Sequence, residues 1–412
     1  MSDSMITPEQ AQNIVLEHIS PVGIERVGLL ESRGRLLARD IFPKRNNPSH
    51  NNSAMDGFAV RYQDVQNAQL DKAVKLEIIE DIPAGKIPIH PLKTGQASRI
   101  MTGGVIPDGA DTIIPIEDVL TSDNSVNVNE VEEIGAHIRK KGEDFSVGNP
   151  ILLTGQWLSA GEIAVLATVQ QSFVTVYRRP RVAIITTGDE LVEIEEKVEN
   201  GKVVNGNTTA LASFSESCGA EAIMLPIARD RPAEIQRSIE EASDADFILS
   251  SGGVSVGDFD YVKQVLQEMG AKTLFWRVAM KPGKPLLFCK LNSTPYFGLP
   301  GNPVSSMMSF LQFVRPALYK AAGHLPNRWK LPETIASLNN NASNEGDRRN
   351  YVRCKLQYEH NGDLHASVFT QQGSHMVSSM VSANGIAVID PKESFSRGDK
   401  IRVQIFGKIA NA

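Results

Sequence analysis

Residues 250–263 read SSGGVSVGDFDYVK and follow the apolar run Phe247-Ile248-Leu249. Glycines at 252, 253 and 257 allow a tight turn that presents main-chain N–H groups, the donors a phosphate oxygen accepts from. Asp258 and Asp260 stand beside them. Four other places carry the same residue types: Thr186-Thr187-Gly188-Asp189-Glu190, Asp230, Lys281-Pro282-Gly283-Lys284-Pro285, and Leu299-Pro300-Gly301-Asn302-Pro303-Val304-Ser305. Read singly, each has a plain structural meaning. The glycines make a turn, Asn302-Pro303 starts a helix, Lys281 and Lys284 are a solvated pair, and Glu190, Asp230, Asp258 and Asp260 are caps or first-turn charges.

Read together they point to chemistry. Carboxylates gathered at one place repel: two unit charges about 4 Å apart cost on the order of 4 kcal/mol at an effective dielectric near 20. A divalent cation and an anionic substrate relieve that repulsion, and Mg²⁺ suits carboxylates shared with phosphate oxygens. The backbone of Gly252, Gly253, Ser255, Gly257 and Gly301, with Asn302, would receive oxyanions, and Lys281 and Lys284 would add positive charge. Such a site works on a phosphate or phosphoanhydride by positioning and electrostatics. The chain contains neither G-x-x-x-x-G-K-[ST] nor G-x-G-x-x-G, which excludes the usual P-loop and dinucleotide-binding readings.

The motifs converge only if the fold brings them together. Strands are expected at Val182–Thr186, Ala222–Ile227, Phe247–Leu249, Thr273–Val278 and Leu286–Leu291. Helices are expected at Thr208–Ser217, Pro232–Ser243, Tyr261–Met269 and Pro303–Ala322. This alternation reads as a mainly parallel sheet covered on both faces, and ligands of such sheets bind beyond the carboxyl ends of the strands. Every motif above falls at that edge. Upstream, Thr7-Pro8-Glu9-Gln10 has the form of a capping box, with Ala11, Ile14, Val15 and Ile19 on one face of the helix. Residues 46–138 alternate short apolar runs with Gly, Pro and Asp turns, a mostly β pattern. Beyond about 326 the chain turns β again: Val352, Cys354, Leu356 and Tyr358 alternate with Arg353, Lys355 and Gln357, and Asn361-Gly362 marks a hairpin. The fold class is therefore α/β plus β, ending in a small β sandwich or barrel.

The 46–138 region holds its own polar cluster. Asn52–Ala59 sets Asp56 beside a glycine, Arg99–Gly104 sets Thr102 before a tight turn, and Arg139–Asp144 mixes charges. Nothing in the linear pattern brings these residues to the α/β edge.

At 412 residues, more than one core is required. A net charge of −6 argues against general nucleic-acid binding. The three cysteines, at 218, 289 and 354, form no C-x-x-C pair and fit a reducing compartment, the cytoplasm. No basic-then-apolar leader opens the chain, and no apolar run of about 18 residues is present, so no membrane span is expected. Of the eight histidines only His375 stands as a site candidate.

The segments SAMDGFAV, RIMTGGVIPDGADTIIPIED, KKGEDF, TGDEL, SSGGVSVGDFDYVK, MKPGKP and GLPGNPVS, in this order over about residues 7–406, closely resemble the molybdopterin molybdenumtransferase family, the MoeA proteins and the E domain of gephyrin. The central part also resembles a MogA-type adenylyltransferase domain. The resemblance implies a multi-domain, elongated homodimer with its active site between subunits. Residues 1–45 and 140–178 would be an extended dimerisation domain, 46–139 an inserted β domain, 179–326 the α/β domain, and 327–412 the C-terminal β domain.

The reaction implied is Mg²⁺-assisted insertion of molybdate into adenylylated molybdopterin with release of AMP. A MogA-type adenylyltransferase and molybdoenzyme acceptors are implied as partners. Asp56, Thr102, Asp144, Glu190, Asp230, Asp260 and Lys281 match the family's catalytic positions, with Glu190, Asp230 and Asp260 as metal ligands. Arg139, Lys284, Pro285, Ser305, Arg348, Arg353 and Ser374 match substrate-facing positions. Arg277 stands where bacterial relatives carry Lys, which keeps the charge but changes the donor geometry. Two alternatives stay open at this point: an adenylyltransferase built on the same α/β domain, and a non-catalytic scaffold with a retained cleft.

Overall fold

The computed structural model describes residues 5–253 and 261–411. The chain forms two compact units, one of residues 1–38, 155–160 and 173–412, the other of residues 39–154 and 161–172.

The larger unit contains a six-stranded sheet in the order Glu221–Met224, Arg181–Thr186, Phe247–Ser251, Thr294–Leu299, Leu287–Leu291, Lys272–Trp276. The first four strands are parallel and the last two are joined antiparallel. Successive side chains point to opposite faces. Val182, Ile184, Leu249 and Phe297 accordingly pack under the helix Gly206–Ser217 and the helical run from Pro303. Ala183, Ile185, Ile248 and Tyr296 pack against Pro232–Glu241 and Val262–Glu268. Thr294–Leu299 was not expected as a strand of its own. Asn292, at φ 55°, turns the chain within two residues of Leu291, so one apolar stretch becomes a hairpin whose second strand lies beside Phe247–Ser251.

The helix at Pro303–Ser309 passes through a π-helical segment, Phe310–Val314, into Arg315–Ala321. Pro316 has no N–H to offer the preceding turn. The carbonyl of Gln312 instead accepts from Gln12 Nε2 of the first helix at 3.0 Å. That helix, Pro8–Glu17, begins with the capping box of Thr7 and Gln10 and buries Ala11 and Val15.

The C-terminal strands Glu333–Leu338, Arg349–Tyr358, Leu364–Val368, Gly385–Ile389 and Lys400–Ile405 close into a five-stranded barrel, the last contact being Gly385–Ile389 on Arg349–Tyr358. Closure removes exposed edges, and Ala336, Cys354, Leu356, Ala387 and Val403 fill the interior. The expected alternation over 351–358 fails at two places. Arg353 is fully buried and Tyr358 is 39% exposed. Burial of Arg353 is tolerated because carbonyls of residues 371 and 373 accept from its guanidinium.

The smaller unit is built on a mixed six-stranded sheet in the order Thr112–Pro115, Gly57–Val60, Gln96–Ile100, Val74–Ile82, Ser125–Val128, Val119–Ser122. Separate apolar clusters form around Phe58, Leu76 and Val126 and around Ala59, Ile82 and Ile100.

Candidate functional site

A cavity of about 860 Å³ opens beyond the carboxyl edge of the α/β sheet. The turn after Arg181–Thr186 supplies Thr187, Gly188 and Glu190, and the turn after Glu221–Met224 supplies Asp230. Gly252 and Gly253 follow Phe247–Ser251, and Pro300, Gly301, Asn302 and Pro303 follow Thr294–Leu299. Pro285 completes this part of the wall.

The turns are knitted together. The Thr187 N–H donates to Ser251 O at 3.1 Å and the Gly252 N–H to Leu299 O at 3.1 Å. Asn207 Nδ2 donates to Ser251 Oγ and to the Gly301 carbonyl, both at 2.8 Å. Gly252 and Gly253 have φ of +97° and +66°. A Cβ at 252 would lie 2.7 Å from the Thr187 carbonyl oxygen, and one at 253 would lie 2.5 Å from Val262 Cγ2. Only glycine permits this path, which lays bare backbone against the cavity.

Of the other expected residues, Ser305 is buried in the first turn of the helix behind Asn302. Lys281 and Lys284 are exposed, and Lys281 pairs with Asn350 of the barrel. Arg277, at φ 77°, lies over the Trp276 ring with its guanidinium 4.0 Å from the centroid. Arg348 donates weakly to the Met280 carbonyl at 3.4 Å. The Ser374 carbonyl accepts from the Val304 N–H at 3.0 Å, which fixes a barrel loop against the helix start. Arg353 supports the same loop from inside the barrel through Gly373 O at 3.2 Å. Its Nε and Nη1 find no protein partner among the described residues. Ser255, Gly257, Asp258 and Asp260 lie outside the described residues.

Asp56, Thr102, Arg139 and Asp144 belong to the smaller unit. Asp56 Oδ1 accepts from both the N–H and the Oγ of Thr102, each at 2.7 Å. These bonds hold the Asp56 carboxyl below its ordinary pKa although it is fully exposed. Arg139 pairs with Asn52 across a short antiparallel bridge, and Asp144 Oδ2 accepts from Asn47 Nδ2 at 2.9 Å. All four residues therefore border the segment 47–56.

Sequence reasoning missed several cavity residues: Asn205, Asn207, Val203, Val204 and Val377. Asn205 caps the helix Gly206–Ser217 by accepting from the Thr208 N–H, and an Asn-Gly-Asn start after a glutamate-rich loop is the signal that could have found it. His375 also lines the cavity. No activated thiol is present in this structure: burial raises Cys218 to about 11 and Cys289 and Cys354 to about 12.

A mainly parallel-sheet domain with glycine turns, Glu190 and Asp230 around a cavity at its carboxyl edge, followed by a closed barrel, defines a protein of the α/β plus β class with a candidate ligand site. Comparison with known proteins specifies which. The descriptions "MoeA N-terminal region (domain I and II)", "Probable molybdopterin binding domain" and "MoeA C-terminal region (domain IV)" match residues 6–169, 183–320 and 336–406. The molybdopterin molybdenumtransferase of Nostoc sp. is 38% identical over 395 residues, covering 94% of this chain and 90% of its own. That of Haemophilus influenzae is 33% identical over 410 residues, covering 98% and 100%. A crystal structure of the molybdopterin biosynthesis MoeA protein from Pyrococcus horikoshii superposes with a TM-score of 0.86 at 30% identity, covering 98% of this chain and all of that one. The chain belongs to the MoeA family of molybdopterin molybdenumtransferases. It is a transferase of molybdenum cofactor biosynthesis.

Proposed function

We propose that this enzyme inserts molybdate into adenylylated molybdopterin and releases AMP, with Mg²⁺ assisting. The observation that carries this reading is the cavity itself, where glycine turns and the Glu190 and Asp230 carboxylates line one space. The donors suit phosphate oxygens, and the carboxylates suit a cation shared with the substrate. Among the described residues no three His, Cys, Asp or Glu gather as a metal cage. Mg²⁺ is commonly held by one or two carboxylates plus phosphate oxygens and water, a role open to Glu190 and Asp230. When bound, Mg²⁺ would offset negative charge developing at the phosphoanhydride.

The chain's own groups then orient and hold. The Gly252 N–H is taken by the Leu299 carbonyl, so the main-chain donors for the substrate phosphates would be those around Gly253 and Gly301, and the exposed Lys281 and Lys284 would add positive charge. Arg353 is fully buried and would act by holding the loop of residues 371–373, which leaves Ser374 on that loop as the candidate donor to the tetrahedral molybdate dianion. The substrate dithiolene receives the metal, so buried, protonated cysteines are no obstacle. We further propose a homodimer in which Asp56, Thr102, Arg139 and Asp144 of a second copy complete each site. The four-part division at about residues 45, 139, 178 and 326 is part of this proposal, as is cytoplasmic residence. No helix among the described residues is long and apolar enough to cross a membrane.

The test is AMP release from adenylylated molybdopterin with Mg²⁺, with and without molybdate. Molybdate-dependent release is expected, with Asp230→Ala reducing it at least ~100-fold while the protein stays folded. Release of AMP that ignores molybdate, or ATP-dependent formation of the adenylylated pterin, would overturn the reading in favour of an adenylyltransferase. No turnover at all would leave a scaffold.

A further inference from the structure

Arg229 precedes Asp230 and belongs to none of the motifs that mark the cavity. Its Nη1 donates to three carbonyls of the neighbouring turn: Leu191 O at 2.9 Å, Gly188 O at 3.3 Å and Asp189 O at 3.4 Å. Lys202 Nζ donates to the Asp189 carbonyl as well, at 2.7 Å. The two turns also clasp one another. The Asp189 N–H donates to Asp230 Oδ2, and the Asp230 N–H to Asp189 Oδ1, both at 3.3 Å. Within the braced turn Gly188 leaves room for the Glu190 carboxylate, whose oxygen would lie 2.7 Å from any Cβ there. Glu190 and Asp230 reach the cavity from strands whose turns are about 40 residues apart, and they share a sign. A half-buried guanidinium at residue 229 ties the first turn to the residue next to Asp230 and so joins the two turns that carry these acids.

We propose that Arg229 is a positioning residue for the acidic rim of the cavity. It acts through the carbonyls of residues 188, 189 and 191 to hold Glu190 and Asp230 in the arrangement that receives a divalent cation beside the substrate phosphate. The inference rests on the function proposed above. It separates Arg229 from the proposed substrate-binding turns at Gly252 and Gly301, to which it makes no hydrogen bond among the described residues.

The experiment compares wild type, Arg229→Met and Arg229→Lys in the full-length protein by two readouts. Mn²⁺ binding is titrated by electron paramagnetic resonance in the presence of AMP, and steady-state AMP release is measured with adenylylated molybdopterin. Loss of an outer-shell partner commonly costs on the order of 10- to 100-fold in metal affinity or activity. Arg229→Met is therefore expected to weaken Mn²⁺ binding about tenfold and to lower kcat by a similar factor, with KM for the pterin nucleotide changed less than about twofold. Arg229→Lys, which keeps the charge but lacks the planar fork, should recover part of both. Wild-type Mn²⁺ affinity in Arg229→Met would overturn the proposal. So would a loss of activity that tracks a lowered thermal midpoint with normal metal binding. If wild type itself releases no AMP, the functional reading fails while the Mn²⁺ titration still decides the role of Arg229. If Arg229→Met does not fold, unaltered Mn²⁺ binding and kcat in Arg229→Lys would likewise overturn it.

Discussion

Two acidic sites in this molecule are built in opposite ways. In the smaller unit Asp56 is held by one residue: Thr102 gives it both a main-chain and a hydroxyl donor. In the larger unit Glu190 and Asp230 come from separate strands, whose turns are joined by the reciprocal Asp189–Asp230 clasps and by Arg229. A single residue, here 46 positions along the chain, can fix one carboxylate by two hydrogen bonds, with its pKa lowered by those donors rather than by a buried charge. Two like-charged groups in one cavity need a sheet to bring them together and nearby positive charge or hydrogen-bond donors to offset their repulsion. Asp40 and Thr154, which the sequence does not mark as chemical, repeat the single-residue clasp at 2.7 Å and 2.8 Å. Clasp geometry by itself therefore does not make a site.

The largest effect that could break this contrast comes from mixing chains. Asp56→Ala and Asp230→Ala are each expected to lack turnover. Co-expressed, they should regain about a quarter of wild-type AMP release if a two-fold dimer builds each site from two copies, because half the dimers are mixed and hold one intact site. No recovery would place all these acids on a single chain's site.

A smaller effect is expected of Thr102→Val, which removes the hydroxyl donor but not the N–H. Turnover should fall about tenfold, in keeping with the loss of one hydrogen bond to a charged group. The acid limb of the pH–rate profile should also move. Thr102 lowers the pKa of Asp56 in the folded protein, so the carboxylate survives to lower pH; without the hydroxyl its pKa rises, and activity should be lost at a higher pH as the solution is acidified. An unmoved acid limb would show that Asp56 ionisation does not govern the rate.

The smallest effect belongs to Thr154→Val, which removes the hydroxyl half of the twin clasp at Asp40 and keeps its N–H. AMP release should stay at the wild-type level, with the thermal midpoint nearly unchanged. A loss like that of Thr102→Val would mean that both clasps act through the stability of their unit, and the contrast between site and scaffold would vanish.

Much of this was legible in the linear order of residues. The capping box at Thr7, the alternation of strands and helices after residue 180, and the Asn361-Gly362 hairpin are local patterns, and a few residues of spacing determine each. The turns at 187–190, 252–253 and 300–303 were equally readable, since glycine, proline and asparagine report backbone geometry directly. What only the tertiary structure decided is convergence and burial. The alternation at 351–358 placed Arg353 outside, yet a closed barrel and two carbonyls from a later loop put it inside. Arg229 was invisible because its partners are backbone oxygens about 40 residues away, and no residue type announces a carbonyl acceptor. Periodicity records which face a side chain needs. Which distant groups will meet it depends on how the sheet is ordered, and that is a property of long-range packing.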